Sequence, residues 1–260
     1  MGLVKQWVGP VYLEPIQHKY HHRESGAQFK SVTTTLSSFE PDFDAEAVAL
    51  AIERQPDKAK KEMYIGLTQG QILDIWVEIN REANEYGTMI HNLLETYLLA
   101  DKWYFPPETD EGDFERVVLR AYDKLNLDEG RIMWPERILF SEENYLAGTS
   151  DLIIDIDDVF FDVADYKTNK KFNFFNEYGY QTMLPPFDHL QSCQFSVYNL
   201  QLSIYALMYM LEFPNRRCRQ IYAVYWDRKT EKFSKINMPY LKHEAKTLVE
   251  IHKYNVLKNL

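Results

Sequence analysis

The hydrophobic period of the chain changes part-way along. Between residues 70 and 100, Ile72, Ile75, Trp76, Ile79, Ala83, Ile90, Leu93, Leu94, Tyr97 and Leu98 recur at helical spacing, which predicts one long amphipathic helix. Gly87 inside it marks either a kink or a close backbone approach. A shorter helix is predicted over 44–62 and another over Phe114 to Leu125, beyond a loop from Phe105 to Gly112. After residue 130 the apolar runs shorten and become β-branched and aromatic. Ile132 to Phe140, Tyr145 to Ile156 and Val159 to Lys167 read as strands. The last two form an antiparallel hairpin turning at Asp157–Asp158. Helical spacing returns from Asp188 to Glu212. Two further strands follow, Gln220 to Asp227 and Glu231 to Met238, and a final helix spans Leu241 to Leu257. The expected fold is α/β, a small central mixed β-sheet flanked by helices with an N-terminal helical extension. The expected division is an extension over 1–80 packed on a core over 81–260.

Composition narrows the class. With 260 residues, 45% of them hydrophobic and 26% charged, the chain is an ordinary globular one that can bury its own core. Cys193 and Cys218 are its two cysteines, too few for a disulfide framework or a four-thiolate metal site. Apolar runs such as Ala206 to Leu211 fall far short of the ~18 residues of a membrane span. The opening MGLVKQWVGP has no long apolar stretch, so a cytoplasmic protein with no membrane partner is expected. The net charge of −10 argues against a surface that binds polyanions indiscriminately. It says less about an enzyme, because carboxylates that hold metal ions are counted in it.

The candidate chemistry sits in the middle of the chain. Asp151 precedes Leu152, Ile153 and Ile154 in an apolar strand, where a carboxylate is costly unless a cation meets it. Asp165 and Lys167 are two apart on the next strand and share a face. Converging carboxylates supply hard oxygen ligands for Mg²⁺ or Mn²⁺, and an ammonium beside them can orient a water or offset transition-state charge on a phosphate. A two-residue turn at Asp157–Asp158 would pair residue 151 with 164 and set Asp151 and Asp165 on opposite faces. Convergence therefore requires a bulge or a loop of three or five residues. The plain alternative is a surface salt-bridge face. His91 and Glu95 lie one turn apart on the long helix, either as a metal-binding imidazole with an acidic neighbour or as structural residues. Gln194, Tyr198, Gln201 and Tyr205 make a polar stripe on a later helix, suited to phosphate and sugar contacts or to a half-wet packing edge. Near the start, Ser31 to Ser38, with Thr33 and Thr34, either cap a helix or donate to phosphates. His18, His21 and His22 read as a solvated strand or loop, with a metal site as the alternative.

Taken in order, Gly87-Thr88-x-x-His91, Pro135-Glu136, Gly148-Thr149-Ser150-Asp151, Asp165-Tyr166-Lys167 and Gln201-x-x-x-Tyr205 resemble the RecB-like exonuclease branch of the PD-(D/E)XK nuclease superfamily, which includes phage exonucleases and the mitochondrial genome-maintenance exonuclease. Each motif is weak alone; the ordered set, spanning about 31–227, is specific. The resemblance implies a restriction-endonuclease-like core and a metal-dependent DNA exonuclease acting on single strands or duplex ends, plausibly of phage origin and in the host cytoplasm. It implies His91, Asp151, Asp165 and the Tyr166 backbone carbonyl as metal ligands. Lys167 becomes the catalytic lysine, Glu136 an acidic residue lining the site, and Gln201 and Tyr205 shape the site and meet the DNA backbone. One or two Mg²⁺ or Mn²⁺ ions are implied. The four cluster cysteines of some relatives are missing, so no iron–sulfur cluster is expected. A recombinase or single-strand-binding protein is a conceivable partner.

Lys170, Lys171, Phe172, Phe174, Phe175, Tyr178 and Tyr180 interleave charge with aromatic faces, either tracking a single strand or lidding a core. Arg216, Arg217 and Arg219 form a second basic group. The alternatives are an endonuclease of the same fold on branched DNA or RNA, a non-catalytic nucleic-acid-binding or scaffold protein, and an acidic interaction module.

Overall fold

The computed structural model describes residues 3–4, 8–14, 17, 19–55, 62–99, 131–176 and 181–258. The helix expected over Phe114 to Leu125, the loop before it, His18, Tyr178 and Tyr180 lie outside these residues. The described residues form a mixed nine-stranded sheet with helices on both faces. Its elements are β1 (Leu3–Val4), β2 (Val11–Glu14), β3 (Lys19–His22), β4 (Gln28–Ser31), α1 (Val32–Ser37), α2 (Ala45–Arg54), α3 (Gln69–Leu99), β5 (Ile132–Ser141), β6 (Leu146–Asp155), β7 (Phe160–Lys167), α4 (Gln194–Glu212), β8 (Arg217–Asp227), β9 (Lys232–Met238) and α5 (Lys242–Lys258).

The central strands are apolar on both sides because both sides are covered. Ile153, Val163, Ile221 and Ala223 pack with Leu200, Ile204 and Met208 of α4 and with Leu248 of α5. Their sequence neighbours Leu152, Ile154, Ala164, Tyr222 and Val224 pack with Ile90, Leu93 and Leu94 of α3. Alternate residues thus serve opposite layers, the two-residue repeat of a strand.

The β6–β7 hairpin has the odd loop that convergence required. Leu152 pairs with Ala164 and Asp155 with Phe161, a register that sets Asp151 opposite Asp165. The Ile156 N–H donates to the Phe160 carbonyl at 2.9 Å, leaving Asp157, Asp158 and Val159 as the turn. Asp157 Oδ1 accepts from the N–H groups of Val159 and Phe160, both at 2.7 Å, and fixes that turn through its side chain.

Three expectations are corrected. The N-terminal region is not helical throughout: before α1 and α2, β2, β3 and β4 form an antiparallel meander, and β4 joins the main sheet parallel to β6. A division at residue 80 also falls inside α3, a continuous helix of 31 residues. The later long helix starts at Gln194 rather than near Asp188, because Gln191 is engaged in an isolated bridge with Thr182. Among the described residues no helix is long and apolar enough to cross a membrane.

Candidate metal centre

The site arises where the sheet is locally opened. Strand β5 occupies one edge of β6 along its whole length, from Ser141–Leu146 to Ile132–Asp155. On the opposite edge, β4 pairs only with Leu146 and Ala147, and β7 only with Leu152 to Asp155. Gly148-Thr149-Ser150-Asp151 therefore faces a gap between β4 and β7. Beyond Leu152–Ala164 the two strands part, and the Asp151 side chain takes the missing ladder position: its Oδ2 accepts the Tyr166 N–H at 2.7 Å. A buried backbone donor is thereby satisfied by a carboxylate.

The β5 side is opened as well. Pro135 pairs with Leu152 and Arg137 with Ser150, but Glu136, directly opposite Asp151, does not pair and has φ of 47°. A non-glycine residue in this region is strained by roughly 1–3 kcal/mol, which its surroundings must offset. The break turns Glu136 into the same cluster. Ligand atoms of His91, Glu136 and Asp151 all lie within 4.8 Å of one another, and among the described residues this is the one group of its kind. His91 Nδ1 stands 3.4 Å from Asp151 Oδ2. Asp165, across from Asp151, is instead engaged by the Lys167 ammonium in close ion-pair contact.

His91, Glu136, Asp151 and Lys167 form the floor of an open cleft of ≈ 680 Å³ between α3 and the end of β7, with Asp165 buried behind them. The α3 wall presents Asn84, Gly87, Thr88, His91, Asn92 and Glu95, residues three or four apart on one helix face. The opposite wall presents Thr168 and Asn169. A Cβ at Gly87 would sit 3.2 Å from Thr168 Oγ1, so the glycine marks a close approach of the two walls, and α3 runs through it unbroken.

The electrostatics are those of crowded carboxylates. Burial pushes Glu136 up to about 8, with the charges of Asp151 and Glu95 acting in the same direction. Burial and Asp151 push Asp165 up to about 6, against the pull of Lys167. Burial and Asp151 also raise Glu95. Burial alone would lower His91, but the Asp151 carboxylate outweighs it and carries the imidazole to about 9. Lys167 is likewise raised by Asp165 and Asp151 in spite of its burial, so its ammonium is retained. Four carboxylates face two cationic side chains, an imbalance that a divalent cation would offset.

The helix α4 stripe divides its work. Tyr205 is 2% exposed, its hydroxyl takes the Gln201 amide at 3.0 Å, and its ring fits against Gly148. A Cβ at Gly148 would come within 2.6 Å of that ring. Tyr205 therefore shapes the site from beneath, and the direct nucleic-acid contact expected of it is not available to a side chain this deeply buried. Two turns before Tyr205, the Tyr198 ring lies 4.2 Å from Lys167 Nζ, and its hydroxyl donates to Asn169 Oδ1 at 3.1 Å. Gln194 Oε1 accepts the Asn173 N–H at 2.9 Å. The stripe braces the segment that follows the lysine.

The remaining expected residues lie elsewhere. Lys170 and Lys171 are exposed after β7, outside the residues that line the cleft. Phe172 is buried against Tyr198 and Tyr225, whereas Phe175 is 73% exposed. Ser31 Oγ caps α1 by accepting the Thr34 N–H at 3.0 Å, and Thr33 and Thr34 are exposed beside it. His21 stacks on Tyr12, and His22 faces Glu142 at 3.5 Å. Arg216 meets the Asp157 carbonyl and Arg219 pairs with Asp162, so this basic group secures the hairpin turn and β7. Thr88 belongs to the motif that ends in His91; the α3 wall residues Asn84 and Asn92 are not singled out by the sequence reading, although their helical spacing from His91 is a readable signal.

No family model and no curated protein matches the chain. A solved structure described as the crystal structure of SSO0001 is similar to it at 20% identity, over 55% of this chain and 58% of that one, with a TM-score of 0.29. An overlap of this quality carries no argument about the chemistry.

Proposed function

We propose that the chain is a metal-dependent DNA exonuclease with a restriction-endonuclease-like core, of the RecB-like branch of the PD-(D/E)XK superfamily. The observation that carries this reading is the convergence of His91, Glu136 and Asp151 within 4.8 Å on the floor of a cleft that also holds Lys167. The donor set, one imidazole and two carboxylates, suits Mg²⁺ or Mn²⁺. Glu136 would be the third ligand beside His91 and Asp151, the place that the resemblance gives to Asp165. A bound ion would acidify a water and polarise a phosphoryl oxygen.

The chain's own groups do the rest. Asp165 and Asp151 keep Lys167 charged. The Tyr198 ring holds the ammonium from one side, so it is positioned to orient the attacking water and to offset charge on the phosphate as it develops. Neutral amides and hydroxyls on the walls, Asn84, Thr88, Asn92, Thr168 and Asn169, can bond sugar and phosphate oxygens without adding further charge. Exposed Lys170, Lys171 and Phe175 are placed to meet a single strand outside the cleft.

The test is degradation of end-labelled linear and circular single-stranded DNA in Mn²⁺, Mg²⁺ and EDTA, with Lys167→Ala alongside. Metal-dependent loss of the linear strand only, absent in the variant, is the expected result. Cutting of the circle would make it an endonuclease. Folded protein that cleaves nothing with any metal would sink the catalytic reading and leave a binding role.

A further inference from the structure

A second cavity, of ≈ 370 Å³, lies between β4, α1 and α5 and shares no lining residue with the cleft. Its size is within the ~300–1,000 Å³ of small-ligand sites. The lining is divided by chemistry. Phe39 and Val256 supply an apolar wall, and Lys30 supplies a cation. No acidic side chain is among the described residues that line it, in a chain with 39 acidic against 29 basic residues.

Lys30 and Asn255 bring N–H donors, and the other polar groups present acceptors. Thr35 Oγ1 spends its proton on the Ser31 carbonyl at 3.0 Å, and Ser38 Oγ spends its own on the Thr35 carbonyl at 2.6 Å. Both oxygens keep free lone pairs. His252, buried in the wall, has Nε2 at 3.3 Å from the Tyr145 carbonyl. That carbonyl can only accept, so Nε2 carries the proton. Burial and Lys30 hold the imidazole below its usual range, which leaves Nδ1 as a further acceptor. The Tyr145 carbonyl also accepts the Lys30 N–H at 3.0 Å, which ties the cation-bearing strand and the histidine to one point.

We propose that this cavity binds a nucleoside monophosphate. Its phosphate meets the Lys30 ammonium, its base lies on the wall of Phe39 and Val256, and its sugar hydroxyl and base amino groups donate to Ser38, Thr35 and His252. A ligand with one anionic group, a flat apolar body and several donors satisfies each part of the lining. A free inorganic anion leaves the apolar wall and the acceptors unused. The inference does not depend on the nuclease reading.

The experiment is calorimetric titration of the full chain in EDTA with deoxyadenosine monophosphate, deoxyadenosine and inorganic phosphate. Saturable binding of the monophosphate is expected, with the nucleoside and inorganic phosphate each weaker by about tenfold or more, the scale of one charge-assisted hydrogen bond. Lys30→Glu, at an exposed position, should abolish binding with an unchanged melting temperature. Val256→Trp, which fills the cavity, should abolish it too, and Glu136→Gln in the cleft should leave it unaltered. Retained affinity in both cavity variants, loss in Glu136→Gln, phosphate binding as tightly as the nucleotide, or no saturable binding would each overturn the proposal. Because no cleavage is measured, these outcomes are separate from the fate of the nuclease reading.

Discussion

Asp151 and Asp155 stand four residues apart on β6, the first half-buried and the second buried, and their surroundings are opposite in kind. Asp155 is met on every side by donors. Trp134 Nε1–H donates to one carboxylate oxygen and the Tyr209 hydroxyl to the other, both at 2.9 Å, with Arg216 at 3.7 Å. Asp151 is met by His91 and the Tyr166 N–H, but also by the carboxylates of Glu136, Asp165 and Glu95. A satisfied buried carboxylate holds a fold together. One crowded by its own kind, beside a strained backbone at Glu136, is arranged for something the chain does not itself supply. The contrast separates a structural acid from a candidate functional one on the same strand.

The contrast can be broken by four substitutions, ordered by expected effect. Lys167→Ala should lower the cleavage rate by about 10²–10³-fold, the loss typical of one preorganised charge-stabilising donor, in single-turnover assays with labelled DNA. Full activity in that variant would remove the lysine from the mechanism. Asp155→Ala should cost about 3 kcal/mol in chemical denaturation, because Tyr209, Trp134 and Arg216 lose a shared buried partner. Its cleavage per folded molecule should be retained; selective loss of activity at native stability would reverse the assignment of the two acids.

Gly148→Ala should cost about 2 kcal/mol, since the new methyl overlaps the Tyr205 ring. Tyr205→Leu in the same chain should recover part of it, and no recovery would show that the close approach is not the cause. The smallest effect has the opposite sign. Glu136→Gln removes one carboxylate from the crowd and should raise stability in EDTA by about 1 kcal/mol, or about 2–4 °C of Tm. A lower Tm there would mean that Glu136 is held by partners rather than strained against neighbours.

Much of the frame was legible in the sequence. Strands β5, β6, β7, β8 and β9 lie within a few residues of their expected spans, because runs such as Leu152 to Ile154 and Ile221 to Val224 are apolar at every position. The odd β6–β7 loop was also legible, since it alone, or a bulge, lets Asp151 and Asp165 face each other. The N-terminal strands were not. Strands β2, β3 and β4 are four residues long, and Lys19-Tyr20-His21-His22 has no apolar alternation to report the single buried Tyr20. The approach of Glu136 to His91 and Asp151 depends on a left-handed backbone at a strand position, which no pattern of side chains reveals. The difference between Asp151 and Asp155 depends on Trp134, Tyr209 and Arg216, residues distant in sequence, and so belongs to the tertiary structure alone.

The central claim is that the Asp151 cluster holds a divalent cation. Its most direct measurement is the melting temperature of the metal-free protein titrated with Mn²⁺, for the wild type, Glu136→Gln and Asp155→Ala. An ion bound only by the folded state stabilises it by about 2.7 kcal/mol at a hundredfold excess over Kd. The account predicts a saturable rise for the wild type and for Asp155→Ala, and its loss in Glu136→Gln. An equal rise in Glu136→Gln, or none in the wild type, would contradict it.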